Sequence, residues 1–344
     1  MLSRIRRHAT APAATHMRAR SEGAACGLPA HGAITGSFAA DRAAVEGVLA
    51  DTPIIFDRAL IARRRKAAHA RGGVPDFLVA SAVSDLDLRL AAVNRRFETV
   101  LDLGSGGLAA EALRASGKAG RIVVADVLAA GPGADVVVDD EALPFEAGSF
   151  DLVVSTLSLQ ATNDLPGALV QIRRMLKPDG LFLGAMLGGD TLYELRASLI
   201  EAESAVAGGA SPRVAPFADL RTLAGLLQRA GLALPVADVD PLTVRYDHLF
   251  ALMADLKASG ATNALVHRSR RPLTRGVLAR AAEIYAERFA DADGRIRATV
   301  EIVSLSGWAP HESQQKPLAP GSARMRLADA LGTTERSAGE KAGG

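Results

Sequence analysis

Between Glu98 and Leu187 the chain alternates apolar runs with amphipathic ones. TVLDLG, RIVVADV, ADVVVDD, SFDLVVSTLSL and GLFLGAML are apolar almost throughout, the pattern of strands buried on both faces. LAAEALRAS and LPGALVQIRRML stand between them, with apolar positions three and four apart, as in a helix that covers one face of a sheet. Strands joined by such helices predict a doubly wound, mostly parallel sheet. After the second strand, Gly131-Pro132-Gly133 takes the place of a full crossover helix. Farther along, TLYELRASLIEAESAVAG and FADLRTLAGLLQRAG predict helices and PVADVDPLTVRY a strand. HLFALMADLKASG and TRGVLARAAEIYAERFA predict two more helices, and RATVEIVSLSGW a seventh and last strand. Upstream, FDRALIARRRKAAHAR and VPDFLVASAVSDLDLRLAAVNRRF read as N-terminal helices. The predicted architecture is α/β and Rossmann-like, with helices on both faces and a helical insertion at about 247–290.

The folded domain is expected over 54–323, with its nucleoside-binding core at 98–190. Residues 324–344 read as a polar, disordered tail. Residues 1–45 are rich in Ala, Gly and Pro and read as a disordered tail. Arg4, Arg6, Arg7, Arg18 and Arg20, with no acid before Glu22, give this stretch the composition of a mitochondrial transit peptide as well. Both readings stand.

Composition narrows the partners. A net charge of +2, with 49% hydrophobic and 23% charged residues, is ordinary for a globular enzyme and gives no support to bulk nucleic-acid binding. Cys26 is the single cysteine, so neither an internal disulfide nor a cysteine-built metal site is available. The apolar run GLFLGAMLGG is too short to span a bilayer. The basic run Arg63–Lys66 reads as a solvated helix face, with substrate docking as the alternative.

Ligands of a doubly wound sheet bind outside the carboxyl ends of its strands. There the first strand ends in Asp102-Leu103-Gly104-Ser105-Gly106-Gly107. Gly104, Gly106 and Ala109 satisfy a dinucleotide pattern, so a nicotinamide cofactor is one reading. The acids favour another. Asp102 precedes the first glycine, where it repels a pyrophosphate and attracts an α-ammonium group. Asp126 ends the second strand, placed to accept ribose hydroxyls, and Asp139 and Asp140 end the third, placed to receive an adenine amino group. Acids at three consecutive strand ends suit a cationic, phosphate-free nucleoside, S-adenosylmethionine. Each acid taken alone reads as a helix cap or a solvated loop residue.

From Leu101 to Phe182 the chain resembles class I methyltransferases, through LDLGSGG, VVADV, DDEALPF, GSFDLVVSTLSLQ and LKPDGLF. The resemblance implies that Asp102, Gly104, Gly106 and Gly107 surround the cofactor and that Asp126 binds ribose. It also implies that Asp139 and the Asp140 backbone bind adenine, and that Ser155 to Leu157 line the methionine end. Against the usual DxGxGxG loop of such enzymes, one residue is missing between Gly106 and Gly107. Over Ile55 to Ala323 the chain resembles more closely the complex I assembly factor 5 family, through IFDRALIARRRK, LSLQATNDLPGAL, GAMLGGDTLYELR, SPRVAPF and GWAPHESQQKPLAPGSA. A more distant likeness is to the malonyl-carrier-protein methyltransferases. The closer resemblance implies a protein substrate, a complex I subunit, with peripheral membrane association as an option. It implies a mitochondrial-matrix protein in a eukaryote and a cytoplasmic one in a bacterium.

Three activities follow: methylation of a protein side chain, hydroxylation of a protein arginine, or assembly chaperoning with a vestigial cofactor site. Methyl transfer asks only for orientation and the exclusion of water. Hydroxylation at a non-haem iron takes two histidines and a carboxylate. The histidines stand at 8, 16, 31, 69, 248, 267 and 311 and none begins HxD or HxE, so no metal ligand is assigned. A set assembled from distant positions stays open. The candidates for substrate chemistry are Gln160, Asp190, Tyr193 and His311. Gln160 ends the fourth strand, where such folds often face the transferred methyl group. Asp190 and Glu194 can pair with a guanidinium or serve the following helix as cap and first-turn acid. Tyr193 reads as a substrate platform or as packing. His311-Glu312-Ser313-Gln314 reads as a polar lid over the substrate or as a loop held down by Trp308.

Overall fold

The computed structural model describes residues 53–71, 77–127, 133–315 and 325–334. The expected N-terminal tail, Gly131-Pro132 and residues 316–323 lie outside the described residues. The apolar runs become β1 (Phe97–Leu103), β2 (Ala119–Val127), β3 (Val136–Val138), β4 (Phe150–Thr156) and β5 (Leu176–Leu187). They are followed by β6 (Ala233–Tyr246) and β7 (Ile296–Trp308). The strands form a single sheet in the order β3-β2-β1-β4-β5-β7-β6. The pairs among β1 to β5 are parallel, whereas β7 runs antiparallel to both β5 and β6. This is the class I methyltransferase topology.

Alternation along each strand builds two cores. Leu101, Leu103, Val153, Phe182, Val303 and Leu305 point to one face and are covered by α4 (Leu165–Met175) and α6 (Leu220–Arg229). Val100, Leu152, Val154, Leu183, Val300 and Ile302 point to the other face, under α2 (Phe77–Ala91) and α3 (Leu108–Ala115). The helices start where the sequence supplies caps. Asp164 accepts from Gly167 N at 2.9 Å at the head of α4, and Asp219 from Thr222 N at 2.7 Å at the head of α6. Lys118 donates to the carbonyls of Leu90, Ala91 and Val93 at 2.6–3.0 Å, satisfying the end of α2.

A third core lies at the carboxyl edge of the sheet. There α5 (Tyr193–Ala207), α7 (Leu249–Ala258) and α8 (Arg275–Phe289) enclose Leu195, Leu199, Leu249, Ile284 and Tyr285 together with Ile296 and Ala298 at the start of β7. The expected helical insertion is thus packed on the functional edge. The N-terminal helix α1 (Arg58–Ala70) reaches the same region: Phe56 bridges Leu265, and Asp57 N donates to Ala264 O at 2.8 Å. Within the stretch expected to be a tail, Leu327–Ala330 form a short helix, α9.

Candidate functional site

The loop after β1 is shaped by its glycines. Gly104, Gly106 and Gly107 have φ of 80°, 66° and 89°, values that L side chains avoid. No atom lies within 4 Å of where a Cβ would stand on Gly106 or Gly107. The crowded glycines therefore leave open space in front of the backbone. Behind the loop, Asp102 is fully buried. Its Oδ2 accepts from Ser105 Oγ at 2.6 Å and from Ala110 N at 3.0 Å, while Ser105 Oγ accepts from Ala109 N at 3.0 Å. One acid thereby fixes both the turn and the start of α3. Burial pushes the Asp102 carboxyl up, against the pull of those hydrogen bonds, and the nearby Asp126 charge adds to the rise.

The other oxygen of Asp102 has no partner. Asp102 Oδ1, the hydroxyls of Ser155, Thr156 and Ser158, and Gln160 Oε1 are all buried and unpaired. All five belong to the carboxyl ends of the adjacent strands β1 and β4 and the turn after β4. An unpaired buried polar atom costs about 1–3 kcal/mol, so the grouping of five of them makes this edge the candidate ligand site. Leu157, at the centre of this turn, has φ 46°, a strained value of the kind that gathers at functional sites. Its amide donates to Ala185 O at 2.8 Å and its carbonyl accepts from Gln160 Nε2 at 2.7 Å, which hold it there.

Asp126 is buried at the end of β2. At the end of β3, Arg58 from α1 donates to Asp139 at 2.7 Å, to Glu141 at 2.9 Å, and to Asp140. Thr162 Oγ1 holds the second Asp140 oxygen at 3.0 Å. Burial pushes the Asp140 carboxyl up further than Arg58 and Thr162 pull it down. Asn163 continues the seam: its Oδ1 accepts from the amides of Ile55 and Phe56 at 2.9 and 2.8 Å, and its own amide donates to Glu141 at 2.6 Å. The N-terminal segment is thus strapped across the edge between the ends of β3 and β4.

A methyltransferase-domain family profile matches residues 78–235. The chain is 41% identical over 288 residues to "Arginine-hydroxylase NDUFAF5, mitochondrial" of Homo sapiens, spanning 80% of this chain and 83% of that one. The chain belongs to the NDUFAF5 family. It is also 39% identical over 193 residues to a "Malonyl-[acyl-carrier protein] O-methyltransferase" of a Methylovorus strain, spanning 56% of this chain and 62% of that one. The solved structure of a putative methyltransferase from Bacillus halodurans covers 67% of this chain and 100% of its own, with 17% identity and a TM-score of 0.46.

In this NDUFAF5-family chain the sequence-selected residues divide into two groups. The glycine loop, Asp102, Asp126, Ser155, Leu157 and Gln160 gather at the carboxyl edge. Asp139 and Asp140 reach the same edge, where the Asp140 side chain is engaged within the protein and only its backbone and Asp139 are left for the expected adenine contact. The Asp140 carboxylate is only 2% exposed and is taken up by Arg58 and Thr162. Asp139 gives one oxygen to Arg58 and the Glu141 amide and keeps the other outside these bonds.

The loop after β5 is corrected. Glu194 does not face a substrate: both of its oxygens accept from Thr299 N at 3.1 Å and one from Thr299 Oγ1 at 2.6 Å. Asp190 is not the cap of α5, which is Leu192 in left-handed conformation. Asp190 is exposed, with its amide donating to Glu301 Oε2 at 2.9 Å. Tyr193 is 42% exposed and stands edge-on to Phe289 at 5.9 Å, so packing accounts for one side of its ring.

The lid expected at His311 is placed at the wrong end of the molecule. Because β7 is antiparallel to β5, Trp308 pairs with Leu181 near the start of β5, and Ala309 N donates to Gly180 O at 2.8 Å. Gln314 accordingly binds Asp179 at 3.0 Å and His311 binds Ser313 at 2.7 Å, on the sheet edge opposite the glycine loop. Among the described residues no group of three His, Cys, Asp or Glu side chains is arranged to hold a metal ion. His248 accepts from Ala251 N at 3.1 Å, as the cap of α7. Sequence reasoning missed Arg58 and Asn163; the family motif IFDR contains Arg58, but nothing local shows its partners.

Proposed function

We propose that this chain modifies an arginine side chain of a protein, a subunit of respiratory complex I, with S-adenosylmethionine bound at the carboxyl edge of the sheet. The observation that carries the site is the set of five unpaired buried polar atoms at the ends of β1 and β4. Asp102 Oδ1 suits the α-ammonium of the nucleoside, Asp126 its ribose, and the positive-φ glycines leave room for close approach. Gln160 spends its Nε2 on the Leu157 carbonyl. That leaves Oε1 as an acceptor, which suits a donor-only group such as guanidinium.

Family membership favours hydroxylation, the activity named for the human relative. Inserting one oxygen into a C–H bond takes dioxygen, two electrons and two protons, with the second oxygen leaving as water. No described residue is assigned the activation of oxygen. Methyl transfer is the second reading, favoured by a site rich in orienting hydroxyls. Bound S-adenosylmethionine supplies the electrophile in that case, and these residues need only orient the acceptor and exclude water. In a eukaryote the mitochondrial matrix is the corresponding location.

Calorimetry with S-adenosylmethionine tests the cofactor, and folded protein that binds none removes it from the proposal. Mass spectrometry of complex I subunits from a deletion strain tests the reaction. A subunit arginine lighter by one oxygen supports hydroxylation, one lighter by a methylene supports methylation, and unchanged arginines leave only chaperoning.

A further inference from the structure

Beside the carboxyl edge, two elements carry exposed cations, of which Arg270 feels the Asp57 charge without pairing to it. Arg63 and Lys66 are exposed on α1, three residues apart and hence on one side of the helix. Arg270 and Arg271 are exposed on the loop that joins α7 to α8. Among the described residues none of the four has an ion-pair partner.

The two elements are held against each other. Arg64 donates to the carbonyls of Thr262 and Asn263 at 2.8 and 2.6 Å, and Val266 N donates to Ile55 O at 2.9 Å. Arg268 reaches Asp57 at 3.1 Å. The neighbourhood is crowded with like charge: burial and then the charges of Arg268 and Arg63 lower the Arg64 pKa. The carboxylates it does contain are already engaged, Asp57 by Arg268 and Glu203 by Arg213 at 2.6 Å.

The whole chain carries a net charge of only +2, so this concentration is local. Collecting like charges on a rigid seam opposes folding, and an anionic occupant removes the opposition. The seam also adjoins the site. At a rise of 1.5 Å per residue, Arg63 and Lys66 lie about 8 and 12 Å along α1 from Arg58, whose side chain reaches the ends of β3.

From this we infer that an acidic segment of the protein substrate docks across α1 and the 267–271 loop while its arginine occupies the carboxyl edge. The inference rests on the reading that the substrate is a protein. A discrete array on two elements fits carboxylates spaced along a peptide. An interfacial membrane helix would carry an apolar face, whereas α1 has only Leu60 and Ile61 as large apolar residues.

The test uses the full chain and a short fluorescein-labelled peptide of alternating glutamate and glycine, followed by fluorescence anisotropy. The double reversals Arg63→Glu with Lys66→Glu, and Arg270→Glu with Arg271→Glu, are each expected to weaken binding about tenfold. Wild-type binding should fall as salt is raised, and a glycine–serine peptide should not bind. Equal binding by wild type and both reversed forms overturns the proposal. So does tight binding of phosphatidylglycerol vesicles with none of the peptide, which would assign the face to a membrane. Circular dichroism and S-adenosylmethionine calorimetry on the same variants keep the two ideas apart. Cofactor binding should survive the reversals, and its absence from every form would count against the cofactor while leaving the peptide result to stand.

Discussion

Asp102 is held in its place at the expense of the fold. It is buried with one oxygen unpaired, and its pKa is raised chiefly by desolvation. A carboxyl raised in this way holds more protons folded than unfolded, so stability falls as pH rises above the unfolded carboxylate's range. Asp102→Asn removes that charge while keeping an acceptor for Ser105 and Ala110. We expect it to gain about 1 kcal/mol at neutral pH, or roughly 2–4 °C in Tm, and to bind S-adenosylmethionine at least about tenfold more weakly. Thermal scans with and without the nucleoside measure both effects, and undiminished binding would remove Asp102 from the ligand. Arg58 behaves oppositely. Its loss strands the Asp140 carboxylate, and removing one partner of a buried pair costs about 3–5 kcal/mol. Asp140 is already raised by burial and rises further without Arg58. The penalty of Arg58→Ala should therefore be greatest at neutral pH and shrink on acidification as the carboxyl protonates. Urea titrations at neutral pH and near pH 5 give the comparison, and a pH-independent loss would show that the ion pair is not its source. Asp102 was legible in sequence because its partners lie within eight residues. Arg58 was not, because Asp139 is 81 positions away.

Among the elements, continuous apolar runs announce β1 to β5, and amphipathic spacing announces the helices that cover them. Strand direction is not written in that periodicity. The last strand reads equally well in either direction, and only its pairing with β5 and β6 sends Trp308 and His311 to the far edge. The loop after β5 misled for a related reason: acids in a helix's first turn look available until the start of β7 arrives beside them and Thr299 engages Glu194. The strap of residues 53–71 is likewise a tertiary feature, pinned by Asn163 on one side and by 262–268 on the other. Asn163→Ala leaves the Ile55 and Phe56 amides without their acceptor, at a cost of about 1–3 kcal/mol confined to the strap. Limited trypsin digestion should then cut at Arg63 to Lys66 before the rest of the domain, with the global unfolding midpoint almost unchanged. A midpoint that falls as cleavage accelerates would make the strap part of the main cooperative unit instead.

On the scale of the whole molecule, three packed regions meet at one edge: the sheet with its glycine loop, the helical cluster of α5, α7 and α8, and the strap. Each contributes chain that borders the unpaired atoms or ties down a neighbour that does. The strap is coupled to this edge through Arg58, which pairs with the acids after β3, and through Asn163, which holds the Ile55 and Phe56 amides. Binding to the folded state alone adds about 2.7 kcal/mol at a hundredfold excess over Kd, or roughly 5–11 °C for a domain of this size. Hydrogen exchange should localise that gain. S-adenosylmethionine is expected to slow exchange in residues 102–110 and 155–163, and also in the strap at 53–71, because opening the strap releases the acids of β3 and the turn after β4 together. Protection limited to the glycine loop, with the strap exchanging as fast as in the free protein, would mean that the nucleoside sits on an open edge and that the strap answers to the protein substrate alone.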